Sequence, residues 1–133
     1  MLKAATATVV HCPVPQPGEG CVILHATSLV ARHGRVAIGD AIAARPGAGI
    51  VATLIGERPG LSAPDSMGAY LTWQPGPQTA DSDRNCISNI RPEGVGYADA
   101  AFKLTHLLRA IRSRQMSGVR LKDDSDRLLL GER

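Results

Sequence analysis

The strongest pattern in the chain is an almost continuous apolar run at residues 50–55, bounded by a glycine on each side. A run without polar alternation is typical of a strand that is covered on both faces. Two further apolar runs, at residues 69–73 and 86–90, predict additional strands. Upstream, residues 21–25 and 28–31 are alternative strands, and we favour the second because a short helical pattern follows it.

That short helix is predicted within residues 35–42, where Ile38 and Ile42 are four positions apart and therefore share one helix face. Pro46 and Gly47 come directly after it and end it. The buried strand at residues 50–55 then follows, so the chain passes from strand to helix to strand.

A longer helix is predicted over residues 97–115, where apolar residues recur at steps of three or four. These apolar residues are Tyr97, Ala101, Leu104, Leu108 and Ile111. Asp99 near the start and arginines near the end complement the helix dipole, and Gly118 stops the helix. Residues 119–121 are expected to return to the sheet as a strand.

Strands that alternate with helices favour an α/β fold, and we expect a Rossmann-like domain with a largely parallel sheet and flanking helices. Near the N-terminus, three prolines within five residues disfavour a helix or a central strand; they are Pro13, Pro15 and Pro17. We therefore assign residues 1–27 to a proline-rich arm or linker, residues 28–122 to the α/β domain and residues 123–133 to a polar C-terminal tail.

Composition narrows the classes of function. Aromatic residues make up only 3% of the 133 positions and the net charge is +3, which is unlike a nucleic-acid-binding surface. No apolar run approaches the length of about 18 residues that a membrane span requires. The three cysteines are an odd number and form no C-x-x-C pair, which favours a reducing compartment over a zinc site or a disulfide framework.

Two segments are candidates for contact with a ligand. In an open α/β sheet, ligands bind beyond the carboxyl ends of the strands, and residues 56–60 place Glu57 and Arg58 there between glycines. The alternative is that these two side chains only solvate a loop. The second segment, residues 84–90, contains Cys86, although a lone cysteine in a strand is more often a small buried apolar side chain. The sequence contains no phosphate-binding loop, nucleophile elbow or metal-ligand spacing.

Three longer segments together resemble one known family. They are R-V-A-I-G-D at residues 35–40, L-I-G-E-R-P-G-L-S-A-P-D-S-M-G-A-Y-L-T at residues 54–72 and D-R-N-C-I-S-N-I-R-P-E-G at residues 83–94. In order and spacing they are similar to the small subunit of ethanolamine ammonia-lyase, an adenosylcobalamin-dependent enzyme. The similarity covers residues 28–122.

The resemblance implies a subunit of a carbon–nitrogen lyase that is inactive without its large subunit. In that family the large subunit holds ethanolamine and the catalytic side chains, and the small subunit helps to enclose adenosylcobalamin. The family's cofactor contacts fall on Val36, Glu57 and Cys86, and no catalytic residue or metal ligand falls on this chain. An ionised Glu57 would accept charge-assisted hydrogen bonds from the amide arms of the corrin, while Val36 and Cys86 would offer it compact apolar surface.

The resemblance leaves the N-terminal region and the assembly of the chain open. Small subunits of the family are longer, and residues 1–27 are not matched, so this region is missing, split off or replaced. The alternative function is therefore a non-enzymatic truncated α/β module that keeps the fold without assembling. A flavodoxin-like nucleotide or flavin binder has only fold analogy in its favour.

Cobalt ligation by this chain is not expected. The chain has no D-x-H-x-x-G motif, so His25, His33 and His106 are not assigned as cobalt ligands. For localisation, the resemblance implies the cytoplasm and leaves open whether the protein is packaged into a bacterial microcompartment.

Overall fold

The computed structural model describes residues 4–11, 25–32, 34–44, 49–56 and 65–131. Five strands in these ranges form one sheet in the order β2-β1-β3-β4-β5. The strands are β1 (Ala4–His11), β2 (His25–Arg32), β3 (Ile50–Gly56), β4 (Met67–Trp73) and β5 (Arg84–Ile90). The helices are α1 (Ile38–Ala44), α2 (Tyr97–Arg114) and α3 (Ser125–Leu129), and 3₁₀ turns lie at Asp81–Asp83 and Gly118–Arg120.

The sheet is antiparallel at every described pairing, so the expectation of a largely parallel, Rossmann-like sheet is wrong. Consecutive strands β3, β4 and β5 pair directly with one another, whereas a parallel neighbour would need a crossover connection. Strands β2 and β3 run in the same direction and α1 lies between them in the chain, but β1 separates them in the sheet. An apolar run shows that both faces of a strand are covered, and it does not fix the direction of its neighbours.

One face of the sheet, here called the α2 face, carries the main core. Alternate residues of β3, β4 and β5 point to it: Ile50, Ala52, Ala69, Leu71 and Ile87. Helix α2 packs on them through Ala100, Leu107 and Ile111, which are spaced four and seven positions apart along one helix face. Leu107 and Ile111 are each at most 1% exposed, so this contact anchors the helix.

The apolar face of α2 is only partly the predicted one. Ile111 is buried, and Leu104 and Leu108 pack partly buried against the core as expected. Tyr97 is instead 60% exposed, and Ala101 is exposed as well. The first turn of α2 therefore presents its alanine at position 100 to the sheet, and the aromatic ring lies outside the core.

The opposite face, here called the α1 face, is covered in part by α1. Val51 and Thr53 of β3 point to this face, and Ala43 of α1 packs on Val51. Gly39 lies so close to β3 that a Cβ at this position would overlap Thr53 Oγ1. A glycine is thus required for α1 to approach the sheet.

Residues 119–121 do not return as a strand, because this segment forms the 3₁₀ turn Gly118–Arg120. The buried side chain of Asn85 holds the turn: its Oδ1 accepts a hydrogen bond of 2.7 Å from the Gly118 N–H, and its Nδ2 lies 3.4 Å from the Gly118 and Leu121 carbonyl oxygens. Side-chain hydrogen bonding by Asn85 replaces the ladder that a strand would form.

Ser125, the first residue of α3, gives a stability prediction with a defined sign. Its side chain is fully buried and its Oγ has no hydrogen-bond partner, and a buried unsatisfied polar group is unfavourable. Ser125→Ala should therefore raise the free energy of unfolding, measured by urea denaturation, by about 1 kcal/mol. The matched control is Ser117→Ala, because Ser117 Oγ accepts from the Trp73 N–H and donates to the Asp83 carbonyl. Ser117→Ala should lower the free energy of unfolding by about 1–2 kcal/mol. Equal effects of the two variants would contradict the assignment of an unsatisfied hydroxyl to Ser125.

Helix α3 and the residue before it are attached to α2 by the ion pair Lys103–Asp126 at 2.6 Å and by the His106–Asp124 hydrogen bond at 2.7 Å. The hydrogen bond from His106 lowers the pKa of the Asp124 carboxyl below its ordinary value. Because the folded-state pKa is the lower one, the stabilisation is fully present above the ordinary pKa and is lost as the pH falls through the lowered one.

The pH dependence of this attachment is tested by an NMR titration of the Asp124 carboxyl carbon. His106→Leu should move the pKa of Asp124 upward, since the largest cause of its lowering is removed. Thr105→Leu, an exposed change on the same helix, should leave it unmoved. An unchanged Asp124 pKa in the His106 variant would contradict the role of this hydrogen bond.

Candidate functional site

Cys86 lies on the α1 face of the sheet, where its thiol side chain is exposed. It stands directly opposite Tyr70 of β4, which in turn stands opposite Thr53 of β3. Residues opposite each other in antiparallel strands point to the same face. The exposed position corrects the more general expectation that a lone cysteine in a strand is buried.

Val36 lies in the turn that leads into α1 and is half-buried. Its carbonyl oxygen accepts a hydrogen bond of 3.2 Å from the Gly39 N–H, and Gly39 packs against Thr53. Thr53 and Cys86 are in register across β4, so two strand spacings, about 10 Å, separate them. The start of α1 and the exposed part of β5 thus lie on the same side of the sheet.

Glu57, the third residue implied by the resemblance, falls outside the described residues, as does Arg58. Strand β3 ends immediately before it at Gly56, which pairs with Met67 of β4. Contact between Glu57 and a cofactor therefore stays a prediction.

A buried ion pair ties α1 to β5 next to Cys86. The two terminal guanidinium nitrogens of Arg84 donate to the carboxylate of Asp40, Nη1 to Oδ1 and Nη2 to Oδ2, each at 2.7 Å. The pair is therefore bidentate. The side chains are only 5% and 8% exposed. Arg84 Nη1 also lies 3.5 Å from Thr72 Oγ1, and Nε donates to the exposed Asp81 at 3.2 Å. The guanidinium is thus oriented from three sides.

The ion pair also determines the electrostatics of the α1 face. The hydrogen-bonded carboxylate of Asp40 raises the pKa of the Arg84 guanidinium, which outweighs the lowering by burial. Arg84 is therefore charged at neutral pH, and the Asp40 carboxylate lies directly against it. The described part of the face around Cys86 then presents a compact thiol and no unpaired buried charge, which fits a ligand with a neutral, amide-bearing edge.

Among the described residues, no group of three or more His, Cys, Asp or Glu side chains is placed to hold a metal ion. His106 lies on α2 and hydrogen-bonds Asp124, on the side of the sheet opposite to Cys86. Within the described ranges, no helix combines the length and the apolar character needed to cross a bilayer.

The sequence profile of the ethanolamine ammonia-lyase light chain matches residues 16–122, which is most of the chain and includes part of the region 1–27 that the motifs left unmatched. The chain belongs to the ethanolamine ammonia-lyase light-chain family. Within this family, the small subunit from Rhodopseudomonas palustris strain BisA53 is 56% identical over 98 residues, covering 74% of this chain and 38% of the relative. The small subunit from Xanthomonas campestris strain B100 is 51% identical over 129 residues, covering 97% of this chain and 47% of the relative.

The chain thus spans less than half the length of these curated relatives. The small subunit from Azotobacter vinelandii gives the same result, with 52% identity over 110 residues that cover 83% of this chain and 40% of the relative. The matched part contains the quoted motifs and every residue described above on α1, β3, β4 and β5.

Asp40 and Arg84 were not predicted as site residues, although both stand inside the quoted motifs. Asp40 stands two positions from both Ile38 and Ile42, which places it on the opposite side of the predicted helix, so the pattern gives no sign of a buried carboxylate. The structure buries Gly39, Asp40 and Ala43 instead, and a buried carboxylate needs a partner of opposite charge. Identifying Arg84 among the fifteen Lys and Arg side chains required the antiparallel register.

Proposed function

We propose that this chain acts within a small subunit of ethanolamine ammonia-lyase and that its α1 face helps to enclose adenosylcobalamin against the large subunit. Membership of the light-chain family is the observation that carries the subunit role. The exposed thiol of Cys86, on the same side of the sheet as the start of α1, supports the choice of face.

The residues of this chain would bind and orient the cofactor and exclude water from one side of it. Val36 and Cys86 contribute compact surface, and Glu57 accepts hydrogen bonds from the neutral amide arms. Adenosylcobalamin, when bound, would supply the radical chemistry needed to convert ethanolamine to acetaldehyde and ammonia. Ethanolamine and the catalytic side chains belong to the large subunit, so the chain alone is inactive.

Reconstitution tests the subunit role. The purified full chain, a large subunit of ethanolamine ammonia-lyase and adenosylcobalamin are mixed, and acetaldehyde release from ethanolamine is followed. Turnover is expected only when all three are present. A stable complex of the two chains without turnover would contradict the enzymatic role, and failure to co-purify would instead favour the truncated module.

Cys86→Trp is the variant that tests the contact face. The position is exposed, so the fold should tolerate the larger side chain, while the indole would occupy the space of the cofactor. In complex with the large subunit, the affinity for adenosylcobalamin, measured by visible absorbance, should fall at least about tenfold, which corresponds to about 1.4 kcal/mol.

The control for this prediction is Ser113→Trp, an equally bulky change at an exposed position on α2, on the other side of the sheet. It should leave the cofactor affinity unchanged. If Cys86→Trp and Ser113→Trp bind adenosylcobalamin equally well, the α1 face is not the contact surface.

A further inference from the structure

Helix α1 is only seven residues long. Isolated helices of that length are not stable in water, so its position depends on tertiary contacts. Ala43 and Gly39 hold α1 to β3 by packing on Val51 and Thr53. The ion pair between Asp40 and Arg84 connects α1 to β5 as well.

Asp40 and Arg84 lie close in sequence to Val36 and Cys86, the two proposed contact residues that the structure describes. Asp40 follows Val36 by four positions, and Arg84 precedes Cys86 by two positions on the same face of β5. The ion pair therefore joins the segment that begins at Val36 to the strand that carries Cys86.

We infer that Asp40 and Arg84 are positioning residues, whose buried bidentate ion pair fixes the start of α1 against β5 so that Val36 and Cys86 contact adenosylcobalamin together. This inference rests on the proposed function. Neither residue is assigned a contact with the cofactor or with the reacting atoms.

Directional bonding is what separates this role from simple stabilisation. A bidentate ion pair fixes both the distance between the two side chains and their relative planes, whereas an apolar contact fixes neither. Replacing a buried ion pair by apolar side chains of similar volume often leaves a protein as stable or makes it more stable. Net stability alone therefore does not account for a charged pair that is 5% and 8% exposed.

The decisive variant is the double substitution Asp40→Leu with Arg84→Met, which fills the site with apolar side chains and removes the directional bonds. In complex with the large subunit, its apparent affinity for adenosylcobalamin should fall about tenfold, as expected if the competent placement of α1 drops to about a tenth of the population. Binding is read from visible absorbance without substrate. With substrate, the KM for adenosylcobalamin should rise by the same factor while kcat at saturating cofactor changes less than about twofold.

A second variant, Arg84→Lys, keeps the charge and loses the bidentate geometry, and it should also weaken cofactor binding. The control is the double substitution Lys103→Met with Asp126→Leu, which removes a single ion pair between α2 and α3 and should leave the affinity unchanged. Each variant is compared where circular dichroism shows it folded.

Two results would overturn the inference: unaltered adenosylcobalamin affinity in folded Asp40→Leu/Arg84→Met, or unaltered affinity in Arg84→Lys. The Cys86→Trp variant distinguishes this failure from failure of the proposed function. If Cys86→Trp weakens binding and the Arg84 variants do not, the contact face stands and the positioning role falls. If Cys86→Trp has no effect, the proposed function itself fails.

Discussion

Asp40→Ala is expected to lower the free energy of unfolding by about 3–5 kcal/mol, because the substitution leaves a buried guanidinium without its counter-charge. Arg84 is only 5% exposed, and Asp40 accepts both of its short hydrogen bonds. Urea denaturation of the full chain, followed by circular dichroism, measures the loss. The other carboxylate partner of Arg84, Asp81, cannot compensate, since it binds only Nε and lies at the surface.

Asp81→Ala is the matched control, because it removes a carboxylate from the same arginine. The Asp81 side chain is 99% exposed, and ion pairs with exposed partners contribute about 0–1 kcal/mol. A loss below about 1 kcal/mol for Asp40→Ala, equal to that of Asp81→Ala, would show that the buried pair is not what holds α1 to β5.

Gly118→Ala is expected to lower the free energy of unfolding by about 2–5 kcal/mol, since a left-handed backbone and a steric clash act together. Gly118 is buried with φ of +85°, and a Cβ there would overlap the Ser82 carbonyl oxygen and the backbone of Asp83. These are backbone atoms, so no side-chain rotation relieves the clash. The displacement would also break the bond of the Gly118 N–H to Asn85 Oδ1.

Gly131→Ala separates the two contributions to this loss. Gly131 also has a positive φ, +70°, but open space surrounds the position where a Cβ would stand. Only the conformational cost of the left-handed backbone remains, about 1 kcal/mol. Urea denaturation should rank the two variants accordingly, and equal losses would contradict the close packing of Gly118 on residues 82 and 83.

Apolar runs and helical spacing were sufficient to predict most elements. The strand predicted at residues 50–55 is β3, the helix predicted over residues 97–115 is α2, and the strand favoured at residues 28–31 lies within β2. Local pattern predicts these elements because the spacing of apolar residues within one short segment shows which face is buried. The predicted coverage of β3 on both faces is confirmed, since Ile50 and Val51 are each 1% exposed.

Strand direction and the site were harder to predict because they depend on residues far apart in the chain. Local pattern does not show that β1 lies between β2 and β3, and this insertion makes the β2-β1-β3 part of the sheet antiparallel. Likewise, Asp40 and Arg84 are separated by 44 positions, and only the register of β4 with β5 brings Arg84 to the face covered by α1.

The site residues themselves came from resemblance, and the structure adds where two of them lie. It places Val36 at the start of α1 and Cys86 exposed on the same side of the sheet, whereas Glu57 stays a prediction outside the described residues. The place of Glu57 in the sequence, directly after β3, was the local signal for it, and that signal does not identify a ligand.

Alkylation of Cys86 tests the central claim most directly. In the complex with the large subunit, the rate of reaction of the Cys86 thiol with a maleimide is measured by mass spectrometry of its peptide, which separates it from Cys12 and Cys21. If the α1 face encloses the cofactor, saturating adenosylcobalamin should slow this reaction several-fold. An identical Cys86 rate with and without bound adenosylcobalamin would contradict the account.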